Sequence, residues 1–321
     1  MDAPTQTRWF HLTPGRFVLG LLVVEGLLWL SDRFGWLGWH KGYAVLTAVA
    51  TVGMAMLLLL GWFGVALVFR RRFQFSIRSL LVLVVVVAVP CSWMTVELKN
   101  ADRQQAAKTA FQRFPGYVEY GYERTGQQPA SLAPAWLFRL LGCDFFASIE
   151  RVCLACDRRF TDADLEHVES LPRLKLLRLG GADITDDGLK HLAVLTDLEE
   201  LSLHRTHVGD AGLEHVQGLT QLRRLNLYAT NISGSGLKYL KRLGRLEDLC
   251  LSKTKVSDLG HLTALTHLRY LNLDNTQVTD AGLEPIEGFA KLERLDLCVT
   301  KVTAAGVAKL QQALPNCKIT R

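Results

Sequence analysis

From Leu174 the chain sets its leucines at a fixed rhythm. Four successive stretches read LEELSLHRTHVGDAGLEHVQGL, LRRLNLYATNISGSGLKYLKRL, LEDLCLSKTKVSDLGHLTAL and LRYLNLDNTQVTDAGLEPIEGF. Each opens L-x-x-L-x-L, an alternation that predicts a short strand with its leucines turned inward and the intervening residue outward. The first leucine of each L-x-L pair falls at Leu177, Leu201, Leu225, Leu249, Leu271 and Leu295, in steps of 24, 24, 24, 22 and 24 residues. Later in each copy Leu189/Leu192, Leu213/Val216, Leu237/Leu240 and Leu283/Ile286 recur at i,i+3, the spacing of one apolar helix face. No single copy can bury its apolar side alone, so stacking must supply a continuous core.

The register extends beyond these copies. Val152-Cys153-Leu154 fits as a degenerate first strand, and 24 residues beyond Leu295 lies Ile319, so Cys317–Thr320 reads as an eighth strand inside which the given sequence stops. The short step comes from Val256-Ser257-Asp258-Leu259, which lacks two residues present in Thr279-Asp280-Ala281-Gly282-Leu283. Thr206, Thr230, Thr254, Thr276 and Thr300 follow the strands, where a hydroxyl can satisfy backbone groups as the chain turns. Ser or Thr before Asp at Thr185-Asp186, Ser257-Asp258 and Thr279-Asp280 predicts a helix N-cap.

A period of 20–29 residues written this way is that of a leucine-rich repeat. L-x-x-L-x-L-x-x-T-x-V-T-D-x-G-L-x-x-L resembles the T-D-x-G-L subtype, similar to the cysteine-containing repeats of F-box adaptor proteins, although no F-box is present. It is more similar still to bacterial proteins that carry a membrane anchor ahead of the array. In those, an Arg-Phe-Gln-Phe-Ser-x-Arg-x-Leu-Leu run opens a transmembrane segment, as Arg72-Phe-Gln-Phe-Ser-Ile-Arg78-Ser-Leu-Leu81 does here. The resemblance covers about residues 70–321. It implies an α/β repeat, a leucine-rich-repeat solenoid of about seven repeats plus a terminal strand, preceded by an α-helical membrane region. It implies no reaction.

Charge separates the two parts. Residues 150–321 hold 23 Lys/Arg and 23 Asp/Glu, so the whole +6 resides in the remaining N-terminal part. A neutral array argues against nucleic acid, which requires clustered positive charge. Residues 43–69 carry no charge over a length able to span a bilayer, 79–96 form a thinner stretch interrupted by Pro90, and Phe17–Leu30 becomes long enough only if Leu12–Arg16 is added. Three spans are therefore expected at about 12–30, 43–69 and 79–96, within a transmembrane region 1–97. Four arginines in Arg70–Arg78 favour a cytoplasmic loop, which would place the array outside the cytoplasm. Trp29, Trp36, Trp39 and Trp93 would then lie near the outer interface, while Lys99, Arg103, Lys108 and Arg113 nearly balance the count.

Between the two, residues 98–148 read as a juxtamembrane helix (to about Phe114), a strand at Tyr117–Glu123, a Gly/Gln/Pro loop and an apolar helix Ala135–Leu141. That last helix is the expected cap on the first repeat of the domain 149–321.

Residues that could carry chemistry are few. Cys153-Leu154-Ala155-Cys156 is a CxxC without a redox-fold context, and a structural zinc needs four ligands. His167, His191, His215 and His261 occupy one repeat position, so they form a ladder along an edge, whereas ligands must converge on a point. Neither catalysis, a cofactor nor a metal is expected. Glu25, inside an apolar stretch, suits either helix association or a role in transport.

Outward strand slots give the candidate concave binding surface: Glu200, Ser202 and His204; Arg224, Asn226 and Tyr228; Asp248 and Ser252 around Cys250; Tyr270, Asn272 and Asp274; Arg294 and Asp296 before Cys298. This polar row suits a protein or peptide partner, with the lipid bilayer a second partner through the helices. The expected function is a membrane-tethered, non-catalytic interaction module. The alternative is a transport or signalling subunit whose three-span region is the active part.

Overall fold

Strand register follows the sequence period. The computed structural model describes Ala50, Gly53 and residues 77–125, 135–154 and 157–321. It divides into two compact units, Met1–Ala101 with Gln127–Phe146, and Asp102–Gly126 with Ala147–Arg321.

In the first unit, helix α1 (Ile77–Phe111) begins and runs unbroken through Pro90. Helices α3 (Ala135–Leu141) and α4 (Cys143–Phe146) contribute Leu137, Phe145 and Phe146 to a small core with Ala101, flanked by Trp93, Met94 and Leu141. Among the described residues no helix is long and apolar enough to cross a membrane. The expected spans 12–30 and 43–69 fall outside the described residues apart from Ala50 and Gly53, which are helical. The third, 79–96, lies in α1, whose later part carries Glu97, Lys99, Asp102, Arg103 and Lys108.

The second unit holds one nine-stranded sheet in chain order: β1 (Gly116–Tyr120), β2 (Ile149–Leu154), β3 (Leu176–Arg178), β4 (Glu200–Ser202), β5 (Arg224–Asn226), β6 (Asp248–Cys250), β7 (Tyr270–Asn272), β8 (Arg294–Asp296) and β9 (Lys318–Thr320). β1 is antiparallel to β2, and every later pair is parallel. Val152, Leu177, Leu201, Leu225, Leu249, Leu271, Leu295 and Ile319 face one another in unbroken series. The six leucines of that series are at most 1% exposed. At this burial each contributes about 1.5–3 kcal/mol relative to exposure. The helix-side residues Leu189, Leu192, Leu213, Val216, Leu237, Leu240, Leu283 and Ile286 are also buried, mostly on single turns of helix.

The strand expected at 117–123 is shorter than its sequence pattern. The strand at 117–123 stops at Tyr120, because the Glu123 carboxylate accepts the Tyr120 N–H at 2.8 Å and residues Gly121–Thr125 coil into helix α2. What covers the first repeat in this unit is β1 on the edge of β2, with Phe111 and Phe114 against Phe160 at 6.1 and 5.1 Å. Gln104 adds hydrogen bonds to Ala147 O (2.8 Å) and from Ile149 N (3.3 Å). The helix expected as the cap, Ala135–Leu141, belongs to the other unit, with Leu137 buried in its core.

Strands β4–β8 each leave through a left-handed residue. Arg205, Ala229, Lys253, Asn275 and Val299 have φ of 54–58°. The threonine that follows each donates its hydroxyl to the carbonyl three residues back, at 2.6–2.8 Å, as at Thr206 to Leu203 and Thr276 to Leu273. These bonds satisfy a carbonyl at the bend and help hold a conformation that L-residues disfavour.

The Ser/Thr-Asp pairs act differently from the N-caps expected. The Asp162 carboxylate accepts the amide and hydroxyl of Thr185 in the next copy, at 2.9 and 2.5 Å. Asp186 likewise takes the Gly209 amide (2.6 Å), Asp210 the Ser233 amide (2.7 Å), and Asp280 the amide (2.7 Å) and hydroxyl (2.6 Å) of Thr303. The aspartate thus latches onto a backbone amide of the next copy, and at Thr185, Ser233 and Thr303 the hydroxyl joins the same carboxylate. Thr279, at a helix N-cap, makes no side-chain cap bond. The glycine of T-D-x-G-L has a matching reason: a Cβ at Gly188, Gly212, Gly236 or Gly306 would overlap the carboxylate of Asp162, Asp186, Asp210 or Asp280.

Candidate interaction surface

Pairing places the outward residues in columns. Glu200, Arg224, Asp248, Tyr270 and Arg294 are successive partners, as are Ser202, Asn226, Cys250, Asn272 and Asp296. The third column, His204, Tyr228, Ser252, Asp274 and Cys298, follows the strands, and the backbone ladder continues through it: Arg205 N donates to Tyr228 O at 2.8 Å and Lys253 N to Asp274 O at 2.9 Å. All thirteen residues named from the sequence therefore lie on one sheet face, in the register read from the sequence.

They do not contribute alike. Asp296 is 3% exposed and takes bonds from Arg294 Nε (3.0 Å), Tyr270 Oη (2.8 Å) and the Thr320 hydroxyl. Asn272 Nδ2 donates to Tyr270 Oη at 3.0 Å and closes the network. Burial alone would raise the Asp296 carboxyl, but Arg294, Thr320 and Tyr270 outweigh it and hold the group below its usual range. A carboxylate so fully bonded is structural. Ser202 and Ser252 are each 6% exposed, and Asn226, Asn272 and Asp274 spend an oxygen on the backbone amides of Tyr228, Asp274 and Cys298. Side-chain carbonyls and carboxylates here substitute for missing ladder acceptors, which the alternation of leucines does not disclose.

Glu200, Asp248 and His204 keep partial exposure. Glu200 lies between Arg178 (Nε at 2.7 Å) and Arg224 (3.5 Å). Asp248 has no ion-pair partner among the described residues, and burial pushes its carboxyl up despite Arg224 nearby. His204 stands over Gly180, where a Cβ would overlap its ring, with Nδ1 3.0 Å from Ser202 Oγ. Burial first, then Arg205 and Arg178, hold His204 below its ordinary pKa, so the neutral ring predominates at pH 7.

The outward columns left out two features. One residue before the first column, Glu199, Arg223, Glu247, Arg269 and Glu293 alternate in sign along the edge of the face. Arg223 pairs with Glu247 at 2.7 Å and Arg269 Nε with Glu293 at 2.9 Å, lining an open groove of about 560 Å³. Reading that position at the 24-residue period would have found it. The second comprises Arg205 and Lys253, whose side chains leave the left-handed turns to stand over the Tyr228 ring at 5.7 and 5.3 Å. No sequence signal marked them, because their direction depends on a positive φ.

Thiols and histidines do not converge. Among the described residues no three His, Cys, Asp or Glu side chains are placed to hold a metal ion. His191 Nδ1 meets Glu169 at 2.6 Å and His167 packs edge-on against Phe111, two separate structural contacts. Cys156 falls outside the described residues, and Cys153 pairs with Arg178 across the sheet. Burial pushes the Cys250 thiol up and Cys317 to about 11, which disfavours the reactive thiolate.

Two stretches match family models for leucine-rich repeats: residues 171–193 match "Leucine Rich repeat" and residues 245–288 match "Leucine Rich repeats (2 copies)". Residues 171–193 and 245–288 thus carry leucine-rich repeats, and the strand register continues at the same spacing from β2 to β9. No curated protein matches the chain. Among solved structures it is similar to internalin C2 of Listeria monocytogenes, at 25% identity and TM-score 0.45 over 62% of this chain and 79% of that one. It is also similar to a leucine-rich-repeat protein of Leptospira interrogans (23%, TM-score 0.40, 49% of this chain and 45% of that one). Internalin F of Listeria monocytogenes follows at 20% and TM-score 0.36, over 53% of this chain and 62% of that one. The chain thus spans less than two thirds of the length of the latter two.

Proposed function

We infer that this chain is a membrane-tethered interaction module that docks a protein or peptide on the outward sheet face. Leucine-rich-repeat proteins generally mediate protein–protein interaction, and no catalytic role is indicated for the described residues. The observation that carries the reading is the face itself: β4–β8 present fixed polar columns, bordered by a groove of alternating charge. Regular spacing lets one extended partner meet several copies at once. Balanced charge over 150–321 favours a partner of mixed sign and disfavours nucleic acid.

The tether rests on the uncharged run 43–69, the apolar stretch 79–96 and the arginine loop Arg70–Arg78 between them. The positive-inside rule then puts the array outside the cytoplasm. Carbonate washing should leave the full chain in the membrane pellet, and an impermeant thiol reagent should label Cys298 in intact spheroplasts. Release by carbonate overturns the tether, and labelling only after lysis reverses the topology.

A photo-crosslinking residue placed at Asp248, on the sheet face, is compared with one at Lys241, exposed on the helix side. In cells making the full chain, a discrete adduct is expected from position 248 and not from 241. Equal adducts from both, or none from 248, would overturn the docking face.

A further inference from the structure

The rim of the sheet face around Tyr228 differs in charge from the rest of that face. Arg205 and Lys253 occupy the same left-handed turn position two copies apart, with the small Ala229 between them (φ 57°, 55° and 54°). Neither cation has a carboxylate partner among the described residues, and both lean over one ring, at 5.7 and 5.3 Å from its centroid. The residues beside that ring in the paired columns are His204, Ser252, Asn226, Ser202 and Cys250, none of them acidic. The next carboxylate along the column, Asp274, is held by the Cys298 amide at 2.7 Å. Two cations converging without an acid repel one another, and an anion placed between them relieves that cost. The groove on the opposite margin alternates acid with base and compensates itself.

We propose that Arg205, Tyr228 and Lys253 form an oxyanion subsite, which receives a carboxylate or phosphoryl group carried by an acidic segment of the docked protein partner. The guanidinium offers a planar fork of donors and the ammonium a point charge, and the Tyr228 hydroxyl adds a donor. Lys253 and Arg205 also hold the Tyr228 phenol below its ordinary pKa, the sign expected of a positive field at that hydroxyl. The subsite rests on the docking reading above and gives its partner a chemistry.

The test uses the full purified chain and fluorescent peptides followed by anisotropy at low salt, where exposed charge pairs are least screened. One peptide is rich in glutamate, a second has glutamine at those positions, and a third carries phosphoserine. The glutamate or phosphoserine peptide should bind at least tenfold more tightly than the glutamine peptide. That preference should fall by tenfold or more in R205Q/K253Q, and by less in Tyr228→Phe. Tighter binding of the phosphoserine peptide assigns a phosphoryl source, and tighter binding of the glutamate peptide assigns a carboxylate. Indifference to peptide charge, or full binding by R205Q/K253Q, overturns the subsite. Arg205 and Lys253 are exposed, so an unchanged melting temperature checks that the variant is folded. A crosslink at Asp248 that persists in R205Q/K253Q, together with unchanged peptide binding, removes the subsite and leaves the docking face standing. Charge-selective peptide binding with no Asp248 adduct does the reverse.

Discussion

The copies from Asp162 to Ser233 and the short copy around Asp258 share the same core but are joined differently. In the first region Asp162, Asp186 and Asp210 each latch the following copy. In the second, Gly234 stands where a latch aspartate would be, and Asp258 turns back on its own copy to accept the Gly260 amide at 2.9 Å. The backbone ladders pass through both regions unchanged: Asn231 N to Val208 O at 2.8 Å, Lys255 N to Ile232 O at 2.8 Å, and Gln277 N to Val256 O at 3.0 Å. Leu259, Leu262, Leu265 and Leu268 of the short copy are all fully buried. Glycine at 234 and the two residues missing after Asp258 therefore go with lost polar fastening and leave the leucine layer whole. Core and latch are separable in this array.

The largest effects should make no distinction between the regions. Leu225→Ala and Leu249→Ala each empty a fully buried leucine site and should cost about 2–5 kcal/mol, alike within error, by urea denaturation. A much smaller loss at Leu249 would show that the short copy has a looser core.

Breaking the latch should distinguish them. Asp210→Ala leaves the Ser233 amide without its carboxylate and should cost about 1 kcal/mol, since the site is only partly buried. Faster hydrogen exchange at that amide should accompany it. Asp258→Ala should stay within about 0.5 kcal/mol of the parent. Equal losses would mean that the carboxylates act by something other than the bond between copies.

Glycine offers a finer version of the same contrast. A methyl at Gly236 collides with the Asp210 carboxylate, whereas at Gly260 the nearest atom, Asp258 Oδ1, is 3.4 Å away. Gly236→Ala should therefore lower the urea midpoint and Gly260→Ala should not. Because Gly236→Ala and Asp210→Ala undo one contact, their double variant should lose less than the two losses added together. Simple additivity would separate the glycine from the latch.

The smallest effect is in pH. Partial burial opposes ionisation of Asp210, yet the Ser233 amide and hydroxyl and the Ser235 hydroxyl hold its carboxyl below the usual range. A depressed folded pKa means that the unfolded chain binds the proton more readily, so the contribution is complete above the unfolded value of about 3.9 and is lost as pH falls through the folded value. The stability gap between the parent and Asp210→Asn should be flat from pH 7 to 5 and shrink below about pH 4. A gap that widens on acidification would reverse the sign of the contribution.

Much of this was legible in the residues. The strand at Val152-Cys153-Leu154, the strand at Cys317–Thr320 (observed over Lys318–Thr320) and the two-residue deletion at 258–259 were all placed by counting, because strand leucines recur at a period that only a stacked array satisfies. The columns of the candidate face were legible for the same reason. Their availability was not: Asp296 and Arg224 read alike as outward polar residues, yet one is locked in a network with Thr320 of the next strand and the other is exposed.

Sequence alone determined the repeat, its register and which side chains enter the core, since apolar periodicity is a local property of the chain. Only the tertiary structure decided what the polar residues do. Thr185 looked like a helix cap and is a latch partner, because the carboxylate that takes its hydroxyl lies 23 residues back, at Asp162. Arg205 and Lys253 looked like ordinary turn residues and meet over Tyr228, because positive φ values redirect them and stacking brings alternate copies within reach. Hydrogen bonds and charges depend on what stands opposite, and stacking chooses that neighbour.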